Sequence, residues 1–294
     1  MNKDTASVLG CYILWGLLPV FWKLLSGVNS AYVLAQRIIF SCLFCAAVVL
    51  IKKHGSDIKG ILKNPRERRI YLLCGVLITI NWGVYILTVA LGRILEASLA
   101  YYMNPLFSVL IGTLFFKEKM DLTQLISVVI AFAGVMISVI GYGEVPYLAI
   151  VIGLSFAVYG GIKKKVSAES EVSTCMETMC MVPLALGFIV WSQLSGFTTY
   201  SSLTGREMLL LVLTGAVTSL PLMMFSKGIK NTSIVTGGIL MYVNPTLQLL
   251  LGVLAYHEEF TETGAVTFGF VWAAVLLFVG DSIVKHRRQL KAKS

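Results

Sequence analysis

A chain of 294 residues that is 57% hydrophobic and only 13% charged, with a mean hydropathy of +0.82, lies far from the composition of a soluble domain. It reads as an all-α integral membrane protein. The net charge of +9 does not mark a nucleic-acid binder, because Lys and Arg sit in short clusters between apolar runs rather than along one face.

Ten apolar runs follow in chain order, at 6–25, 33–51, 70–90, 97–116, 122–141, 146–162, 174–194, 207–226, 233–255 and 264–280. Each approaches the roughly 20 residues that cross a bilayer as a helix. The first lacks a small-x-small cleavage site and contains Trp15 and Pro19, so it is expected to be a retained span. An even number of spans puts both termini on one face. Of the 24 basic residues, 20 fall on that face, all but Lys23, Arg37, Arg93 and Arg206. The positive-inside rule then makes the termini cytoplasmic. The basic loop 52–69 and the tail from Lys285 are expected to anchor against anionic lipid.

The fourth run carries Tyr102-Met103-Asn104-Pro105, which returns 140 positions later as Tyr242-Val243-Asn244-Pro245. The same offset carries Gly75 to Gly215, Gly112 to Gly252 and Glu118 to Glu258. The chain is thus expected to be built twice, over 1–142 and 146–294. Five spans per copy is an odd number, so the second copy enters the membrane from the opposite side. Inverted repeats place a solute site at their interface near the midplane, and rocking of one copy against the other gives alternating access.

Polar residues inside the runs are the candidates for that site. Asn104 and Asn244 precede prolines, which remove a backbone donor, so each amide either patches the backbone or faces a wet cavity. Equal depth in inverted copies favours the cavity. Tyr102 and Tyr242 suit a cavity or the core. Asn81 and Trp82 lie midway along the third run, where they could orient an aromatic or zwitterionic solute or join helices. Trp15 and Tyr159 precede Gly16 and Gly160 and are expected to form cavity walls, while Pro19, Pro105, Pro221 and Pro245 are expected kinks.

Arg37 and Glu177 are charged, lie within apolar runs and are again 140 apart. Inversion sends them toward opposite faces, so they are not expected to pair. Arg37 is expected to meet Glu96. Glu177, with Lys163, Lys164 and Lys230 in reach, is the best candidate for a proton-coupling carboxylate. Lys23 is expected to snorkel to the interface. Gly134 with Ser138, and Ala265 with Gly269 and Ala273, read as close-packing faces within one chain or between two, which leaves a homodimer open.

No metal or cofactor is expected. The six cysteines all lie in apolar runs as small hydrophobes, and Cys42 and Cys45 lack further ligands nearby. His54, His257 and His286 lie in loops or tails, and no phosphate-binding loop occurs. A membrane enzyme is therefore disfavoured, and a channel is the nearer rival to a carrier. The expected partners are a small-molecule solute and the bilayer.

Trp15-Gly16-Leu17-Leu18-Pro19, Gln36-Arg37-Ile38, Asn81-Trp82 and Tyr102-Met103-Asn104-Pro105, in this order over a doubled five-helix pattern, resemble the EamA family of the drug/metabolite transporter superfamily, and within it the RarD-type permeases. The resemblance implies a bacterial inner-membrane permease linked to chloramphenicol sensitivity. It implies a central cavity lined by helices one, three, four, six, eight and nine, and export of small organic solutes or drugs such as amphenicols. The second copy departs from the first at Pro221 and Leu222, where Asn81 and Trp82 would recur.

Overall fold

The computed structural model describes residues 2–91, 93–256 and 262–291, and every regular element among them is helical. The first copy holds α1 (Lys3–Lys23), α2 (Ser30–Ile51), α3 (Gly55–Lys63), α4 (Pro65–Ala90), α5 (Ile94–Phe116) and α6 (Leu122–Tyr142). The second holds α7 (Tyr147–Lys165), α8 (Ser170–Ser195), α9 (Gly205–Ile229), α10 (Ile234–Leu240), α11 (Val243–Leu250) and α12 (Glu262–Lys291). Ten of the described spans are long and apolar enough to cross a membrane, α10 and α11 together forming the ninth with a π-type stretch over Leu251–Ala255.

Helix starts follow local chemistry. Asn29 accepts from the amides of Ala31 and Tyr32 to cap α2, while Asp121 with Gln124 and Thr204 with Glu207 form capping boxes on α6 and α9. The basic loop 52–69 contains a helix that the apolar runs did not show. In α3, Ile58 and Ile61 pack beside Tyr71 and Cys175, while the charged residues of that short helix face away. Lys52 and His54 reach back to Glu171 at the start of α8, at 2.9 and 3.1 Å, so part of the expected lipid anchor is an internal clamp.

The packing pattern maps onto itself when the copies are exchanged. The pair α1 with α9 becomes α7 with α4, α2 with α9 becomes α8 with α4, and α5 with α7 becomes α11 with α1. The pairs α2 with α8, α6 with α12, and α5 with α10 map onto themselves. Glycines carry the same relation. A Cβ on Gly75 would lie 2.6 Å from the Glu177 carbonyl on α8, and one on Gly215 would collide with the Phe40 carbonyl on α2. The opening helices pair differently from expectation. Gly16 packs on Leu247 and Asn244, and Gly153, not Gly160, packs on their equivalents Phe107 and Asn104. Glu258, the expected repeat of Glu118, and His257 lie outside the described residues.

The prolines have unequal effects. The helix continues through Pro19, Pro105 and Pro221, whereas the ninth span breaks at Met241 and Tyr242, just before Asn244 and Pro245. Pro245 has no N–H for the Met241 carbonyl, which accepts from Asn244 at 3.0 Å instead. The expected kinks thus become one interruption, in the second copy only.

The last helices use their small-residue faces differently. Gly134 meets Phe270, and the Ser138 hydroxyl bonds Thr267, so this face of α6 packs on α12 within the chain. Ala265, Gly269 and Ala273 instead lie on the exposed side of α12, where Val271 and Ala274 take the inner positions. Exposed Leu114, Phe115, Leu184, Leu194 and Leu254 contribute to an apolar belt suited to lipid tails.

Candidate functional site

The repeated motifs meet at the centre of the bundle. The Tyr242 hydroxyl donates to the Tyr102 carbonyl at 3.2 Å, joining α11 to α5 at positions 140 apart. Both tyrosine rings pack into the contact between α6 and α12. Tyr242 is buried with Ala131, Val271 and Ala274, and Tyr102 sits edge-on to Phe268 at 5.3 Å. They are core aromatics of the α6–α12 side rather than cavity residues, because one residue of helix turns a side chain through about 100°. The neighbouring Tyr101 takes the inward direction.

Asn104 and Asn244 differ. The Asn244 side-chain carbonyl accepts from Gln248 Nε2 at 2.7 Å, one turn along α11. Asn104 Oδ1 is buried and has no hydrogen-bond partner among the described residues. Asn81 donates to the Ile152 carbonyl at 2.6 Å and to Ser155 at 3.3 Å, which ties α4 to α7 as an interhelical bond.

Trp82 packs against two separate core clusters, one centred on α1 and α9 and the other on α2 and α8, and is half-buried. The Arg37 guanidinium lies over the Trp82 ring at 3.9 Å and the Trp22 ring at 5.0 Å. The Tyr101 hydroxyl lies among Arg37, Tyr85 and Gln248. Arg37 is seven residues into α2, Tyr101 seven into α5, and Gln248 seven before Ala255, so all three sit about 10 Å below the face opposite the termini. Trp22, Tyr85, Tyr101 and Gln248 were not among the expected site residues. Gln248 alone had a sequence signal, standing four residues from Asn244.

Below this ring, Trp15 packs on Tyr12, Phe156 and Phe225, and Tyr159 stacks on Phe225 at 6.1 Å. These rings close the half of the bundle nearer the termini. There the Glu177 carboxylate accepts from Lys163 Nζ at 2.5 Å, from Ser173 at 3.0 Å and from the Tyr159 hydroxyl at 2.9 Å. Lys163 is 0% and Glu177 2% exposed. The other expected partners are engaged elsewhere: Lys164 holds Glu118 and the Thr232 carbonyl, and Lys230 holds the carbonyls of Ser167 and Ala168.

Glu96 does not meet Arg37. Its carboxylate pairs with Arg93 Nε at 2.8 Å, one turn earlier, and accepts from the Leu148 amide at 2.7 Å to cap α7. Lys23 lies over the Tyr256 ring at 3.4 Å. Among the described residues no group of three His, Cys, Asp or Glu side chains is spaced to hold a metal ion.

Sequence comparison matches the EamA-like transporter family model twice, over residues 5–140 and 145–280. The chain belongs to the EamA-like transporter family. The two matched segments coincide with the two helical copies. An uncharacterized transporter of Bacillus subtilis, YojE, is 42% identical over 96% of this chain and 94% of its own length. Proteins called RarD are 36% identical in Streptomyces exfoliatus, over 95% of this chain and 89% of that one, and 32% identical in Escherichia coli, over 96% of both. A crystal structure at 17% identity superimposes with a TM-score of 0.70 over 94% of this chain and 98% of that one, which shows a shared fold.

The buried pair in this EamA-like chain makes a quantitative prediction. Replacing one partner leaves a charge without its counter-ion, so Lys163→Met and Glu177→Met should each cost about 3–5 kcal/mol in detergent unfolding. The double variant should lose much less than the sum, and strictly additive losses would show that the two groups do not act as a pair.

Proposed function

We propose that this EamA-like chain is a secondary transporter that moves small organic solutes, in the direction of export, by alternating access between its two inverted copies. The observation that carries the proposal is the interruption of the ninth span beside Asn244, where the repeated motifs of the two copies touch. Discontinuous helices at a repeat interface are the device by which many carriers expose backbone and amides to a solute at mid-depth. The wall of that site is proposed as Trp15, Asn81, Trp82, Asn104 and Asn244, with Tyr101 in place of Tyr102 and Tyr242. Glu177, held in a buried cluster with Lys163, Ser173 and Tyr159, is the carboxylate best placed to couple transport to protons.

Amphenicols are one candidate class. A Pseudomonas aeruginosa relative, 26% identical over 96% of this chain and 95% of its own length, is called a chloramphenicol-sensitive protein. The carrier reading, as against a channel or an enzyme, agrees with relatives that are named as transporters.

The basic residues favour cytoplasmic termini and a bacterial inner-membrane location. In a cysteine-free background, an impermeant thiol reagent added to intact spheroplasts should label a cysteine at exposed Ser202 and spare one at exposed Ser56. The reverse pattern would invert the topology.

Counterflow in proteoliposomes tests the mechanism, because a carrier exchanges labelled solute against its gradient and a channel does not. Asn104→Ala and Asn244→Ala should insert normally yet weaken solute affinity by about one to two decades, the worth of roughly 1–3 kcal/mol of lost contact. Unchanged affinity with a lowered melting temperature in both would reduce the amides to backbone patches.

A further inference from the structure

Charged side chains in a membrane span normally find a partner, since lipid offers none. Arg37 does not. It makes no ion pair or hydrogen bond to a described residue, and its Nε is fully enclosed. The acid expected beside it, Glu96, belongs to Arg93 and the start of α7. Its counterpart 140 positions on, Glu177, has a counter-ion, a hydroxyl and a phenol, so the second copy satisfies its charge internally while the first leaves one open.

The surroundings of Arg37 describe what is missing. Trp82 and Trp22 lie against the guanidinium through their rings, and cation–π contacts of this kind leave the in-plane N–H donors of the fork unused. Tyr101, Tyr85 and Gln248 complete a wall of aromatic and amide groups at the same level. Asn104, three residues after Tyr101 and so on the same side of α5, adds a buried carbonyl oxygen without a donor among the described residues. Lys23, the cation at the end of α1, rests on Tyr256. A single open guanidinium suits one negative charge and matches the two oxygens of a carboxylate.

We propose that Arg37 is the anion-binding residue of the solute site, and that the solute is a small organic monocarboxylate with a flat aromatic body. The carboxylate takes the fork of Arg37, the body lies along Trp82, Tyr85 and Tyr101, and an N–H of the solute, where it has one, meets Asn104. This rests on the transport reading and sharpens it, because a neutral amphenicol would leave Arg37 unpaired.

Melting temperatures of the purified full-length protein in detergent test the proposal, using benzoate, 3-phenylpropionate, indole-3-acetate and N-acetylphenylalanine, each beside its methyl ester. At least one acid should raise the melting temperature while its ester does not. Arg37→Gln should lower the affinity for that acid at least about tenfold, with Arg37→Lys intermediate, and should leave the ligand-free melting temperature unchanged or higher. Four results would overturn the proposal: no acid stabilises the wild type, acid and ester act alike, Arg37→Gln keeps the preference for the acid, or that variant loses ligand-free stability and keeps acid affinity. Counterflow of neutral solutes without acid binding would refute this proposal alone, and acid binding without any counterflow would refute the transport reading alone.

Discussion

Lipid gives a buried polar group nothing to bond, so every amide, hydroxyl and charge inside this bundle must be answered by the protein or by something it carries. Most are answered internally. Asn81 bonds the backbone of α7, Tyr242 the backbone of α5, and Asn244 the side chain of Gln248. Glu177 collects three donors. Each of these bonds joins elements or fixes a broken one. The unanswered groups stand apart from this pattern, and two of them, Arg37 Nε and Asn104 Oδ1, belong to the aromatic space between the copies. The same constraint that holds the bundle together underlies the proposal that this space holds a solute.

Inverted duplication supplies the frame and its departures supply the chemistry. The exchange of helix pairs between copies makes the two halves near-equivalent in packing. Equivalent positions have nonetheless diverged: Arg37 against Glu177, Asn81 against Pro221, an unbroken α5 against an interrupted ninth span. The half nearer the termini is filled by Tyr12, Trp15, Phe156, Tyr159 and Phe225 and sealed by a buried ion pair. The half nearer the opposite face keeps a cation stacked on indoles.

Much of this was legible in the residues. Apolar runs located the ten spans, and the offset of 140 located the copies and the contact between them. Helical phase was not legible: a motif with two adjacent tyrosines does not say that Tyr102 packs toward Phe268 while Tyr101 packs toward Tyr85. The partner of Glu96 was available three residues away in Arg93, but a depth argument favoured Arg37. The proline positions were plain, yet only packing decides that α5 absorbs Pro105 while the ninth span breaks before Pro245. Lys163 was one of three lysines in reach of Glu177, and its selection depends on Ser173 and Tyr159 closing around the same carboxylate.

The central claim is that two inverted copies rock about the contact between their Tyr-x-Asn-Pro motifs. Pulsed electron-resonance distances between spin labels on the two copies test it most directly, with one pair at exposed Lys119 and Lys227 on the face of the termini and another at exposed Leu91 and Ser202 on the opposite face. Addition of a transported solute should shift the two distance distributions in opposite senses, one face closing as the other opens. Distances that stay fixed, or that lengthen and shorten together, would contradict the account.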